Sequence, residues 1–212
     1  MSEKILSCTT LTDRYVQAVA YTAAIHATQV RKGSSNPYIC HLLGVSSLVL
    51  EAGGNEDQAI AGLLHDAAED QGGEARLADI AARFGSQVER IIRVCSDSTD
   101  AEWKARTPYW PRKLAYLKAL RLEPVDCVLV SIADKVHNSR AILTDLQHHA
   151  DDIEVPLSKF KSSREEMLLY YVTCLDIAVE KEIPFALTVP LRSAINDMAT
   201  LLERAVPEPI RG

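Results

Sequence analysis

Apolar residues recur at intervals of three and four through nearly every segment of the chain, as in Val16, Val19, Ala20, Ala23 and Ala24. That period lines up apolar side chains on one stripe of a helix, whereas a half-buried strand needs a period of two. An all-α fold of about eight to ten helices is therefore expected. At 212 residues, 47% of them hydrophobic, the chain is long enough to bury a substantial core, and a single domain over 1–212 is expected.

Local signals set the expected boundaries. A first helix falls within 14–31. Asn36 as N-cap and Pro37 in the first helical position predict a second helix that carries His41 in its first turn and ends at EAGG. Asn55 caps a third, expected over 56–70 and stopped by QGG. A short helix over 77–84 closes at Gly85, and Ser86 with Glu89 forms a capping box for another through about Cys95. Residues 96–111, SDSTDAEWKARTPYWP, lack an apolar period and are expected to be a loop of functional length, with Asp97, Asp100 and Glu102 in solvent. Helix returns over 112–122.

VDCVLVSIAD is rich in β-branched residues, and its period alone does not separate strand from helix. The pattern continues to about Leu146, too long for a typical strand, so a helix after Pro124 is expected, with Asp134 and Asn138 on one face. Two amphipathic segments within 160–206, at about 162–181 and 189–205, are read as packing helices that either cover the core or offer a homodimer face. The tail PEPIRG is expected to fray.

The formal net charge of −6 and pI near 5.5 argue against binding nucleic acid or an acidic membrane, which needs a dense basic surface. An anionic ligand must then be held by local cations. The five cysteines at 8, 40, 95, 127 and 174 contain no CxxC pair, so neither a zinc knuckle nor a disulfide framework is suggested and a reducing cytoplasm fits. The N-terminal MSEKILSCTT has no apolar signal region, and no run approaches the roughly 18 apolar residues of a membrane span, so a soluble cytoplasmic protein is expected.

One stretch, LLHDAAEDQGG, crowds His65, Asp66, Glu69 and Asp70 beside core-forming residues. Three neighbouring carboxylates repel one another unless a cation is present. His26, His41, Asp134, His137 and Asn138 are further groups of this kind on other expected helices. A single histidine on an apolar helix is more often a hydrogen-bonded core residue. The combination of His41 upstream, HD followed by ED, and DKVHN downstream is what favours a metal site. A mixed His/Asp set without thiolates suits an octahedral Mn²⁺ or Fe²⁺ with open positions better than a closed structural zinc. Cys40 faces away from its neighbour His41 and is not read as a nucleophile. His137, His148 and His149 are read as structural or surface residues.

Four segments, HATQVRKGSSNPYICH (26–41), GLLHDAAEDQG (62–72), FGSQVERIIRVCSD (84–97) and VSIADKVHNSRAIL (130–143), resemble in order and spacing the HD superfamily of metal-dependent phosphohydrolases. Within it they are most similar to the small alarmone hydrolases related to the hydrolase domain of RelA/SpoT proteins. The resemblance covers most of 14–146. It implies an HD-domain helical fold with the metal between central helices, and His41, His65, Asp66 and Asp134 as ligands of one Mn²⁺. Glu69 and Asp70 match the acidic pair that orients or deprotonates the attacking water. Arg31 and Lys32, which at a helix C-terminus would otherwise be read as favourable to the macrodipole, match the pair that contacts the nucleotide and its phosphates. Asn138 matches a substrate contact, His26 and Tyr38 belong to the same cleft, and Lys113 is a further phosphate contact.

The implied reaction is hydrolysis of the 3′-diphosphate of guanosine tetra- or pentaphosphate, (p)ppGpp, to GDP or GTP and pyrophosphate, with no synthetase segment expected to follow. The alternatives are another HD phosphohydrolase, such as a nucleotidase or an NADPH phosphatase, and a non-catalytic nucleotide-binding module. Retention of all four ligands and both acids argues against the module. Three features depart from the family pattern: Leu42 where proline is usual, QGG after Asp70 where threonine is common, and the 96–111 segment with Trp103, Tyr109 and Trp110.

Overall fold

The computed structural model describes residues 9–98 and 101–211. In chain order the helices are α1 (Asp13–Ile25), α2 (Ile39–Glu51), α3 (Glu56–Leu64), α4 (Ala67–Gln71), α5 (Gly73–Phe84), α6 (Ser86–Cys95), α7 (Ala101–Arg106), α8 (Tyr109–Leu122), α9 (Val125–His148), α10 (Glu154–Leu157), α11 (Arg164–Glu180) and α12 (Phe185–Leu201). Among the described residues the one β feature is an isolated antiparallel bridge between Val30 and Pro37. The all-α expectation holds. The helices outnumber the expected eight to ten because α4, α7 and α10 are pieces of five, six and four residues. Cys8 and Asp100 lie outside the described residues, as does most of the N-terminal stretch.

Several helix ends follow the capping chemistry. Asn55 and Gln58 form a capping box on α3, and Ser163 with Glu166 forms another on α11. Elsewhere the boundaries move for local reasons. The expected first helix stops at Ile25, and residues 26–38 fold back on themselves, with Arg31 N donating to Asn36 O at 2.9 Å and Tyr38 N to Gln29 O at 2.8 Å. Gly33, at φ 75°, supplies the left-handed turn of that hairpin. Pro37 sits in the bridge instead of opening α2. At α6 the cap is Gly85 rather than Ser86, so the expected Ser86/Glu89 box does not form.

The expected 96–111 loop is largely helical, forming α7 and the first turn of α8. Pro111 lies in that first turn, where a missing N–H leaves no helical bond unmade. The tail does not fray through its described part: Ile210 N donates to Thr173 Oγ1 at 3.1 Å, its carbonyl accepts from Arg121 at 2.8 Å, and its side chain packs on the core.

VDCVLVSIAD is the first part of α9, a helix of 24 residues and so about 36 Å long. It runs through the middle of the molecule against α2, α3, α6, α11 and α12, which explains why every residue from Cys127 to Val136 is buried and why that part of the sequence shows no one-sided apolar stripe. One continuous core extends from Ala18 to Leu202. Leu187, Leu191, Ile195 and Met198 of α12 are buried in it, so this helix covers the core. Gly62 lets α3 approach α2, since a Cβ there would meet Ser46 Cα at 3.1 Å. No helix among the described residues is long and apolar enough to cross a membrane.

Candidate metal centre and cleft

His41 stands in the first turn of α2, His65 and Asp66 at the joint between α3 and α4, and Asp134 midway along α9. The sequence predicts one helix over 56–70, but it breaks after Leu64. The His65 ring accounts for part of the break: its Nδ1–H donates to Gly62 O at 2.9 Å, a carbonyl that the last turn of α3 leaves over. With Nδ1 so engaged, the lone pair of a neutral His65 ring lies on Nε2.

That lone pair meets three others. His65 Nε2 lies 3.2 Å from His41 Nε2, 3.1 Å from Asp66 Oδ2 and 3.5 Å from Asp134 Oδ1. His41 Nε2 lies 3.6 Å from Asp66 Oδ2 and 3.3 Å from Asp134 Oδ1. Both imidazoles are almost wholly buried, at 1% and 2% exposure. Burial opposes charging His65, yet the Asp66 and Asp134 carboxylates outweigh it and raise its pKa well above the ordinary imidazole value. Burial likewise opposes ionising Asp66, but His65 and His41 hold its carboxyl well below the usual range. The pocket thus demands positive charge at the point where these atoms converge.

Each carboxylate is also held from outside. Tyr38 OH donates to Asp66 Oδ2 at 2.6 Å. Asp134 Oδ2 accepts from the buried Lys135 Nζ at 2.6 Å, and Asp134 Oδ1 accepts from Asn138 Nδ2 at 2.5 Å. Asn138 Oδ1 in turn accepts from Arg31 Nη2 at 2.9 Å. A chain of polar contacts therefore links Arg31, on the hairpin before α2, to Asp134 in α9.

The acidic pair borders this centre. Glu69 Oε1 accepts from Asp97 N at 2.8 Å and Oε2 from Lys104 Nζ at 2.6 Å. Burial and the Asp97 charge raise its pKa above the usual carboxylate value. Asp70 Oδ2 accepts from Gln29 Nε2 at 2.7 Å, and burial followed by the Asp66 charge raises its pKa too. Raised carboxylates of this kind are suited to taking up a proton.

A cavity of 420 Å³ opens from the centre. Asp66, Glu69 and Asp134 line one region, and Arg31, Lys32, Tyr38, Lys113 and Asn138 line it further out, together with an apolar wall that includes Tyr109, Trp110, Phe160 and Tyr170. Arg31 also stacks 5.7 Å from the Tyr38 ring centroid, and Lys32 Nζ reaches Lys159 O. Lys113 Nζ lies 3.2 Å from Asp97 Oδ2 and 5.6 Å from the Tyr109 ring centroid. Of the residues singled out in the sequence, the buried His41 and His65 rings, Asp70 and His26 lie outside this lining; His26 is set apart from the centre. It is buried behind Tyr38, stacked at 5.7 Å, with Nδ1 2.7 Å from Gln29 Oε1.

Four further residues contribute: Lys104 and Gln29 had no legible sign in the sequence, while Asp97, placed near the cleft entrance only by the family resemblance, and His137 were read away from the site. Asp97, expected in solvent, is a buried hub whose carboxylate accepts from Arg112 at 2.8 Å. Lys104 pairs with Glu69, Gln29 with Asp70, and His137, read as structural or surface, has Nδ1 2.9 Å from His41 Nδ1. Burial and the His41 ring push the His137 pKa down to about 4, so it is a neutral imidazole.

A family profile described as the HD domain matches residues 18–157. A probable guanosine-3′,5′-bis(diphosphate) 3′-pyrophosphohydrolase of Synechocystis sp. is 27% identical over 126 residues, 59% of this chain and 16% of that protein. The guanosine-3′,5′-bis(diphosphate) 3′-pyrophosphohydrolase MESH1 of Xenopus tropicalis is 31% identical over 128 residues, 59% of this chain and 67% of its own length. The chain therefore spans less than a fifth of the Synechocystis relative and two thirds of the Xenopus one. Among solved structures, a metazoan ortholog of SpoT, described as hydrolysing ppGpp, superimposes with a TM-score of 0.65 at 23% identity, covering 89% of this chain and 97% of that one. The fold is shared along nearly the whole length, and with the profile matching most of its residues the chain belongs to the HD domain family.

Proposed function

We propose that this chain is a metal-dependent pyrophosphohydrolase that removes the 3′-diphosphate of (p)ppGpp as pyrophosphate, leaving GDP or GTP. The observation that carries it is the convergence of His41, His65, Asp66 and Asp134 at the foot of a cation-lined cavity. The activities named for the Synechocystis and Xenopus relatives support the substrate. His41, His65 and Asp66 form a compact donor set, each imidazole Nε2 lies 3.1–3.6 Å from an Asp66 and an Asp134 oxygen, and two neutral nitrogens with two carboxylate oxygens suit Mn²⁺. Such an ion supplies Lewis acidity to a phosphoryl oxygen and acidifies water near pH 7.

The chain's own residues do the rest. Glu69 and Asp70 stand beside the ligand set to orient the attacking water and take its proton. Arg31, Lys32 and Lys113 neutralise phosphate charge. Tyr38 and Asn138 hold the edges of the cleft. Attack at the phosphorus bonded to the 3′-oxygen breaks that P–O bond, the 3′-oxygen is protonated, and pyrophosphate leaves carrying the water oxygen. Free thiols at Cys40, Cys95, Cys127 and Cys174 support placing this reaction in the reducing cytoplasm.

Product analysis tests this directly. Purified protein with Mn²⁺ and ppGpp is expected to release GDP and pyrophosphate in equal amounts, and EDTA is expected to stop it. Orthophosphate release would contradict the cleaved bond. Bound metal without turnover would overturn the alarmone as substrate and point to a nucleotidase or NADPH phosphatase, with Tyr109 and Trp110 as the wall that changed the choice.

A further inference from the structure

Both nitrogens of the His41 ring are engaged, and the outer one meets another imidazole. Nε2 faces His65, Asp66 and Asp134, while Nδ1 lies 2.9 Å from Nδ1 of His137 on α9. At that distance one nitrogen donates and the other accepts, because two N–H groups or two lone pairs would repel. A His41 that offers its Nε2 lone pair to a cation carries its hydrogen on Nδ1. It therefore donates, and His137 accepts on Nδ1 and keeps its own hydrogen on Nε2.

We propose that His137 is a positioning residue that fixes the tautomer and ring plane of His41 for cation binding. This rests on the metal centre proposed above. A second observation supports it independently of the hydrogen bond. Gly44 follows His41 by three residues on the same face of α2, and a Cβ at Gly44 would lie 2.5 Å from both Cδ2 and Nε2 of His137. The helix omits a side chain where the His137 ring must pass. The two rings then meet edge to face, with centroids 4.7 Å apart and planes at 63°.

An imidazole is also the acceptor this pocket can tolerate. The outer N–H of a metal-bound histidine commonly goes to a carboxylate or a backbone carbonyl. Asp66, Asp134, Glu69 and Asp70 already crowd the site, and another carboxylate would add to their repulsion. A ring nitrogen accepts from His41 without adding another carboxylate to that set.

The test is Mn²⁺ affinity by equilibrium dialysis on the full chain, with circular dichroism to confirm folding. His41→Ala is expected to lose binding. His137→Phe is expected to weaken it by about 10–100-fold, and Gly44→Ala to weaken it in the same direction by displacing the ring. His137→Asn, whose carbonyl accepts a hydrogen bond, is expected to bind more tightly than His137→Phe. Wild-type affinity in His137→Phe, in a protein where His41→Ala has lost binding, would overturn the inference alone. Equal losses in the Phe and Asn variants would overturn the acceptor role. If His137→Phe does not fold, Gly44→Ala decides, since unchanged affinity there contradicts the proposal. No Mn²⁺ binding by the wild type would overturn the metal centre and this inference together.

Discussion

Asp66 and Glu69 are three residues apart, yet their surroundings set them to opposite tasks. Asp66 is held ionised by two imidazoles and by Tyr38, whereas burial and the charge of Asp97 make Glu69 easier to protonate. Asp66→Ala is therefore expected to lose both metal content and turnover. Glu69→Ala is expected to keep the metal, measured by elemental analysis, and to lose about 10²–10⁴-fold in kcat. Turnover at the wild-type rate in either variant contradicts the assignment. Lys135 is a different case, because its ammonium is buried against Asp134 and lies 5.1 Å from the Tyr116 ring centroid. Lys135→Met leaves a buried carboxylate oxygen without its cation and is expected to cost about 3–5 kcal/mol in urea unfolding of the metal-free protein. Added Mn²⁺ is expected to restore part of that loss. His65, Asp66, Glu69 and Asp70 were legible because they are adjacent in the chain. Gln29 and Lys104 were not, since they meet Asp70 and Glu69 across 41 and 35 residues and no local pattern announces such pairs.

Among the elements, the long helices α9 and α11 were legible from the length of their apolar patterns. The joints were not, and the joints make the site. Continuing one helix over 56–70 is what the apolar pattern asks for. The break at His65 and Asp66 depends on a ring-to-carbonyl bond to Gly62 and on packing against α2, and neither shows in a periodicity. The hairpin that carries Arg31 and Lys32 was hidden in the same way, because Gly33 and Pro37 mark a turn without saying how the chain folds back. Gly62 tests the element-scale view. Gly62→Ala puts a methyl group 3.1 Å from Ser46 Cα and 3.2 Å from Ser46 N, so α3 must move off α2. Overpacking of this kind costs about 1–3 kcal/mol, and it moves His65 relative to His41. The variant is expected to melt earlier and also to bind Mn²⁺ more weakly. A lower melting temperature with unchanged metal affinity would mean that the α2–α3 spacing does not set the ligand geometry.

At the scale of the whole molecule, the four proposed ligand side chains tie together three parts of the fold: the start of α2, the α3–α4 joint and the middle of α9. α9 carries much of the core, so an ion held by these groups binds the folded chain and has no comparable site in the unfolded one. Mass action then makes stability depend on metal. At a free ion concentration of 100 times Kd the gain is about 2.7 kcal/mol, and for a chain of this length each kcal/mol moves Tm by roughly 2–4 °C. Saturating Mn²⁺ is thus expected to raise Tm by about 5–10 °C over protein dialysed against EDTA, with the rise growing logarithmically as free ion increases. Asp66→Ala separates this from nonspecific salt effects, because it removes a proposed ligand while leaving the net-negative surface almost unchanged. It is expected to show no metal-dependent shift under the same scans. A shift of equal size in Asp66→Ala would place the stabilising ion somewhere other than the joint between α2, α3–α4 and α9.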